Sequence, residues 1–321
     1  MSSIVNQKYT DFSICIPSYN RSKDLCHLLD SISKVLVHDG AQRCSVEVLV
    51  CLDGSTDDSR VEIEKRIFKY PCELRCFWQE NVGLAAARNA LIDSARGNFI
   101  WLLDDDMSVG SESFFTHYRE QEEIDCLLVG PCYIQENEKA SQFYENRWGR
   151  IIEQGGVVKE PDQMSFANTS GPKKIFVKYK FNPAFRGYGF EDYELAIRML
   201  KDGVKIKFDT SASVTHKYER SEWKMLKNAF EEGVNRAKVF ELHPEDGAFA
   251  LQFKPNRIKR VIVWVSNQGF YRTLRLGSFF FMIISVVLVG KCKARMLSVA
   301  KYMALHSGIA KSKGKSTFFS E

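Results

Sequence analysis

Nowhere do the nine cysteines form a Cys-x-x-Cys pair, and their number is odd. A zinc knuckle is therefore not expected. Several thiols sit in apolar runs, such as Ser13-Ile14-Cys15-Ile16 and Leu49-Val50-Cys51-Leu52, where Cys acts as a small hydrophobe. Reduced thiols of a cytosolic protein are the expectation. Also missing are a Gly-x-x-x-x-Gly-Lys-Ser/Thr phosphate loop and any glycine in the first strand-to-helix turn, Pro17-Ser18-Tyr19-Asn20-Arg21. Without these glycine-based cradles, a bound phosphate must be neutralised by a metal ion and by basic side chains such as Arg88. There is no solenoid-type repeat and no low-complexity tract. Met1 to Asp11 is polar and has no apolar signal core, so secretion is not expected. Acids nearly vanish towards the C-terminus: from Phe253 onward thirteen Lys or Arg face one acid, Glu321. That tail carries +12 of a chain whose net charge is +5, which leaves −7 on residues 1–252. A basic tail on an acidic body suits an anionic surface, and nucleic acid is not expected as a partner.

What is present is an alternation of strand and helix signals. Phe12 to Ile16 is a short apolar run stopped by Pro17, which predicts a buried strand. Leu25, Leu28, Leu29, Ile32 and Leu36 recur at helical spacing. Val46 to Leu52 predicts a second strand, and Ser55-Thr56-Asp57-Asp58 supplies helix-start chemistry after it. Leu74 to Trp78, Phe99 to Leu103 and a segment within Ile124 to Tyr133 predict further strands, with an Ala-rich helix from Leu84 to Ala95. Residues 134–185 read as less regular. A helix from Glu191 to Leu200 precedes two short strands, Val204 to Phe208 and Ala212 to His216, and a helix from Trp223 to Phe240. This order predicts an α/β fold with a Rossmann-like, mostly parallel sheet flanked by helices. Ligands of such sheets sit beyond the carboxyl ends of the strands. Three polar clusters fall there: Pro17-Ser18-Tyr19-Asn20, Asp53-Gly54-Ser55 and Asp104-Asp105-Asp106.

The acid triplet follows the apolar run Phe99 to Leu103. Three adjacent carboxylates repel one another unless a cation offsets them. Mg²⁺ or Mn²⁺, which take oxygen ligands and bridge to phosphates, suit this place better than a merely solvated turn. Asp53-Gly54 is by itself an ordinary turn, and it lies where an acid can accept hydrogen bonds from a base or ribose. In Arg186-Gly187-Tyr188-Gly189-Phe190-Glu191-Asp192, the glycines permit close backbone approach to a ligand. Glu191 and Asp192 either serve the dipole of the helix they start or include a general base.

These stretches resemble family 2 glycosyltransferases of the GT-A fold. The resemblance is carried by Ser13 to Asn20, Asp53 to Ser59, Asn81 to Asn89, Gly97 to Asp106 and Gly187 to Asp192, five motifs in the family's order across residues 12–220. It implies transfer of a sugar from a nucleoside-diphosphate sugar, commonly a uridine one, to a hydroxyl of a glycan or lipid-linked acceptor. The family inverts the anomeric carbon in one displacement, with a divalent cation and an Asp base. By resemblance, Pro17, Tyr19, Asn20, Asp53, Arg88, Asp104 and Asp105 belong to the donor side, Asp104 lying nearer the ribose. Asp106 would bind the metal, and His216 either completes that site or is structural. Asp192 would be the base, and Gly189, Phe190 and Glu191 would face the acceptor. Two departures stand out: Leu52 precedes Asp53 where the family often has a second Asp, and Asn182-Pro183-Ala184-Phe185 replaces a more acidic stretch. A nucleotidyltransferase and a non-catalytic sugar-nucleotide binder are the other classes. The first would want a Gly-rich basic loop near the N-terminus, and the second would tend to lose Asp192 or the acid triplet.

The expected organisation is a catalytic domain over residues 1–245 and a helical, membrane-associating tail over 246–321. Leu276 to Gly290 is apolar and free of charge, with basic residues on both sides. As a helix it would be roughly 22 Å long, short of the ~30 Å hydrocarbon core. A monotopic or re-entrant anchor on the cytoplasmic face of a membrane is the favoured expectation. A buried core helix and a short transmembrane helix are the other readings.

Overall fold

The computed structural model describes residues 11–38, 44–119, 126–134, 148–216, 222–245 and 290–316, with a few positions between 262 and 281. The chain divides into two compact units, residues 1–183 with 192–218, and residues 184–191 with 219–321.

In chain order the first unit contains β1 (Phe12–Ser18), α1 (Ser22–His38), β2 (Val46–Asp53), α2 (Ser59–Ile67), β3 (Glu73–Gln79), α3 (Leu84–Ser94) and β4 (Phe99–Leu103). It continues with β5 (Met107–Ser108), α4 (Ser111–Arg119), β6 (Cys126–Val129), β7 (Cys132–Ile134), β8 (Asn168–Pro172) and α5 (Lys173–Lys178). Then come α6 (Glu191–Lys201), whose first residue falls to the other unit, β9 (Lys205–Phe208) and β10 (Val214–His216). Seven strands form one sheet in the order β3-β2-β1-β4-β8-β6-β9, and a small second sheet runs β5-β10-β7. Successive side chains of a strand point to opposite faces. Accordingly Phe12, Ile14, Ile16, Val48, Val50, Leu52, Trp101 and Leu103 join Leu25, Leu28, Leu29 and Ile32 of α1 in one core. Cys15, Leu49, Cys51, Ile100 and Leu102 join Ala85, Ala87, Leu91 and Ile92 of α3 in the other. Both faces are covered, which is why these strands read as unbroken apolar runs. Burial pushes the Cys15 thiol far up and that of Cys51 up to about 12, as expected of cysteines acting as core hydrophobes.

The main sheet is mostly parallel, as expected, with one antiparallel strand. β8 runs antiparallel to both of its neighbours, β4 and β6. Its sequence, Asn-Thr-Ser-Gly-Pro, carries no apolar signal, yet it is buried throughout. Buried polar groups need partners. Asn168 accepts from Trp101 Nε1 at 2.9 Å, donates to the Ala212 carbonyl at 2.8 Å, and lies 2.9 Å from His117 Nε2. Ser170 Oγ is 2.7 Å from His117 Nδ1, and the imidazole stacks on Trp101 with ring centroids 4.3 Å apart. The expected strand within Ile124 to Tyr133 divides at Gly130-Pro131 into β6 and β7, and the strand expected from Ala212 starts at Val214.

The second unit contains α7 (Glu222–Leu242) and α8 (Gly290–Ser316). Leu226, Ala229 and Ala237 of α7 pack with Ala300, Ala304, Leu305 and Ile309 of α8. The helices touch backbone to backbone: a Cβ on Gly233 would lie 1.9 Å from the Leu305 carbonyl oxygen, and one on Gly308 would lie 2.0 Å from that of Phe230. Only glycine fits such a crossing. Among the described residues no helix is long and apolar enough to cross a membrane. Most of the expected Leu276 to Gly290 anchor, residues 282–289 included, lies outside the described residues.

Burial lowers the His117 pKa to about 3, against hydrogen bonds to Asn168 and Ala212 that act in the other direction. The folded-state value is below the unfolded one, so the unfolded chain binds more protons as the solution is acidified. Stability from this group is complete above about pH 6.5 and is lost as pH falls. From pH 7 to pH 5 the loss from His117 alone is about 2 kcal/mol. Urea unfolding of wild type and His117→Gln across this range should show that fall in the wild type and not in the variant. Parallel pH profiles would refute the assignment.

Candidate functional site

The main-sheet order makes β1 a neighbour of both β2 and β4, so the chain leaves the sheet in opposite directions from this point. β1 pairs with β4 only from Phe12 to Cys15, while its pairing with β2 runs on to Ser18. Pro17, which has no N–H to give, therefore sits where the β4 ladder has already ended. It is buried opposite Cys51.

Beyond that opening the acid triplet follows β4. Ser18 donates to Asp105 Oδ2 at 2.7 Å, and Arg21 Nη1 donates to Asp105 Oδ1 at 3.1 Å. The same Arg21 nitrogen donates to Asp106 Oδ2. β10 pairs antiparallel with β5, which sets His216 opposite Met107 and brings its Nε2 within 3.1 Å of Asp106 Oδ2. Burial raises the Asp106 pKa, but His216 and Arg21 more than offset it and hold the acid at about 2. Asp105 behaves differently: burial, aided by the Asp106 charge, pushes it up to about 7 despite Arg21.

Arg88, on α3 and 1% exposed, spans the other carboxylates. Its Nη2 donates to Asp104 Oδ1 at 3.0 Å and its Nη1 to Asp192 Oδ1 at 2.6 Å. The guanidinium also lies 5.1 Å from the centre of the Phe181 ring. The other oxygen of Asp192 accepts from the backbone N–H of Phe166 at 3.0 Å. Burial raises the Asp104 pKa, with Arg88 opposing and the charges of Asp106 and Asp192 adding to the rise.

Residues 13–190 match the family model described as Glycosyl transferase family 2. The chain belongs to that family. A glycosyltransferase of Streptococcus pneumoniae serotype 4, GlyA, is 30% identical over 141 residues, which are 44% of this chain and 19% of GlyA. The matched stretch spans less than half the length of the first relatives found. Among solved structures, the fold is shared with the mannosyltransferase PcManGT of Pyrobaculum calidifontis, in complex with GDP-Man and Mn²⁺, at 13% identity and a TM-score of 0.59. That likeness covers 97% of this chain and 88% of the other. TarS of S. aureus in complex with UDP-GlcNAc gives 15% identity, coverage of 96% and 92%, and a TM-score of 0.53. The family's GT-A fold is thus the fold of this chain.

Of the residues expected at the donor side, Arg88, Asp104 and Asp105 converge with Asp106, His216 and Asp192 at this edge of the sheet. Tyr19 is half-exposed just past β1. Asn20 adopts φ +53° and ties two loops together: its N–H donates to Ser55 Oγ at 3.0 Å and its Oδ1 accepts from the Thr56 N–H at 2.8 Å. Asp53 is buried, and its oxygens accept from Gln79 Nε2 at 2.7 Å and from the N–H groups of Val82 and Gly83 at 3.1 and 2.9 Å. It thereby holds the loop that starts α3, the helix carrying Arg88. Gly189, Phe190 and Glu191 belong to the second unit. Ser18, Arg21 and the Phe166 amide carry no assigned role in the sequence reading. Arg21 was legible as the basic residue directly after the first polar cluster, whereas the Phe166 amide has no side-chain signal.

Asp106 and His216 supply one oxygen and one nitrogen donor that already converge, which suits Mn²⁺ or Mg²⁺ with phosphate oxygens filling the remaining positions. Among the described residues there is no group of three or more His, Cys, Asp or Glu placed to hold a metal without such help.

Removing the Arg88 guanidinium leaves two largely buried carboxylates without their cation. Arg88→Met should lower the unfolding free energy by about 3–5 kcal/mol. Adding Asp192→Asn to that variant should recover part of the loss, because the remaining acids repel less. Urea unfolding measures both. A change within about 0.5 kcal/mol for Arg88→Met would contradict the role given to this side chain.

Proposed function

We propose that the chain moves a sugar from a nucleoside-diphosphate sugar to a hydroxyl of a glycan or lipid-linked acceptor, inverting the anomeric carbon. The observation that carries this reading is Arg88 holding Asp104 and Asp192 on one guanidinium. The donor-side acid and the candidate base are thereby fixed a single side chain apart. Asp192 takes the proton from the acceptor hydroxyl as that oxygen attacks the anomeric carbon. Each carboxylate oxygen has a second lone pair, so the bonds from Arg88 and Phe166 orient the group without exhausting it. Asp104 faces the ribose, and Tyr19 offers its exposed ring to the base. Asp106 and His216 would hold a divalent cation, which when bound would act as a Lewis acid on the leaving diphosphate. Arg21 neutralises Asp105 and Asp106.

A uridine diphosphate sugar is the favoured donor, a choice supported by the UDP-GlcNAc bound by TarS. The GDP-Man bound by PcManGT supports the guanosine alternative. Thermal shift against a panel of nucleotide-sugars with Mn²⁺ separates them, and stabilisation by guanosine sugars alone would overturn the uridine assignment. The tail is read as a peripheral anchor on the cytoplasmic face of a membrane. Support comes from Leu276 and Phe280, 70% and 61% exposed and one helical turn apart, beside Arg272 and Arg275.

Two measurements test the chemistry. Asp192→Asn keeps the shape and removes the basic carboxylate. Donor affinity should persist while transfer falls at least about 10²-fold. Chelation, or Asp106→Ala, should abolish turnover. Wild-type rates in Asp192→Asn, or full activity in excess chelator, would reject the respective assignments.

A further inference from the structure

We propose that Asn235 of α7 is a positioning residue that sets the conformation of the 186–190 loop, and with it the use of the acceptor. This rests on the reading above, in which that loop is the acceptor side. The loop is unusual in its backbone. Gly187, Gly189 and Phe190 all lie in the left-handed region, with φ of +80°, +82° and +72°. For Phe190, a residue with a Cβ, that conformation persists only where the surroundings impose it.

Those surroundings are one face of α7. Asn235 is 1% exposed, and its Nδ2 faces the carbonyl oxygens of Gly189, Arg186 and Tyr188 at 2.8, 3.2 and 3.4 Å. Two amide hydrogens are thus shared among three acceptors. One turn earlier, Glu231 Oε2 accepts from the Tyr188 N–H at 3.0 Å. A Cβ on Gly187 would lie 2.9 Å from the Glu231 carboxyl and displace it, and the φ of +80° is itself strained for a residue with a side chain. Arg236, held by Glu232 at 2.8 and 3.0 Å, lies 4.7 Å from the centre of the Phe190 ring. Asn235 Oδ1 accepts no hydrogen bond among the described residues. Among the described residues its side-chain hydrogen bonds go to the loop alone. The loop forms neither helix nor strand and runs directly into Glu191 and Asp192.

The test uses the full chain, Mn²⁺, UDP-sugars as donors and p-nitrophenyl glycosides as acceptor probes. Asn235→Ala and Asn235→Asp should lower acceptor kcat/KM about 10- to 100-fold, the scale expected of a small misplacement. Donor affinity by calorimetry should stay within about twofold, because uniform loss would mean general damage. Hydrogen exchange should quicken at the amides of 187–190 and not along the rest of α7. Glu231→Gln, which keeps an oxygen facing the Tyr188 amide, should retain more acceptor turnover than Glu231→Ala. Unchanged acceptor kinetics in Asn235→Ala, or equal losses for donor and acceptor, would overturn the proposal. If the wild type itself transfers nothing, the functional reading has failed, and unchanged exchange at 187–190 in Asn235→Ala would then refute the loop-setting role separately.

Discussion

A buried guanidinium shared by two carboxylates is the interaction on which the rest of this structure depends. Asp104, Asp105, Asp106 and Asp192 crowd one edge of the sheet, where burial raises the free energy of every charge. Arg88 offsets two of them and Arg21 the other two. Each arginine is fixed by a different part of the fold. Arg21 follows β1 directly, whereas Arg88 rides on α3, whose start is held by Asp53. That acid is thereby part of the scaffold of the site as well as a neighbour of it.

The same economy governs the rest of the edge. The crossover that brings β1 beside β4 opens the ladder at Pro17 and leaves room beyond the strand ends. The small second sheet returns the chain so that His216 meets Asp106. Behind it, β8 is locked by Asn168, Ser170, Trp101 and His117, a buried polar network. Such a network holds one register firmly when every member is satisfied. The segment leading into β8 carries the Phe166 amide that orients Asp192.

Much of this was legible in the sequence. β1 to β4 and the helices between them followed from apolar runs and helical spacing, because both sheet faces are covered and the pattern is unbroken. The acid triplet stood out because like charges after a buried strand demand a cation. Asp192 and His216 entered through resemblance to the family. β8 was missed because its buried side chains are Asn, Thr and Ser, which hydrophobic periodicity cannot detect. The hold of Asp53 on Gln79, Val82 and Gly83 was also hidden, since two of its three partners are backbone N–H groups. The grip of α7 on the 186–190 loop depends on contacts more than 40 residues apart in the chain, beyond the reach of any local pattern.

A single displacement with Asp192 as base makes one demand that no rearrangement of side-chain roles can evade: the transferred sugar must change its anomeric configuration. Proton NMR of the product formed with Mn²⁺ and an α-linked nucleotide-sugar reads this directly. The account predicts a β-linked product from the first turnover. An α-linked product would contradict it, because a single back-side displacement by the acceptor oxygen inverts the anomeric carbon.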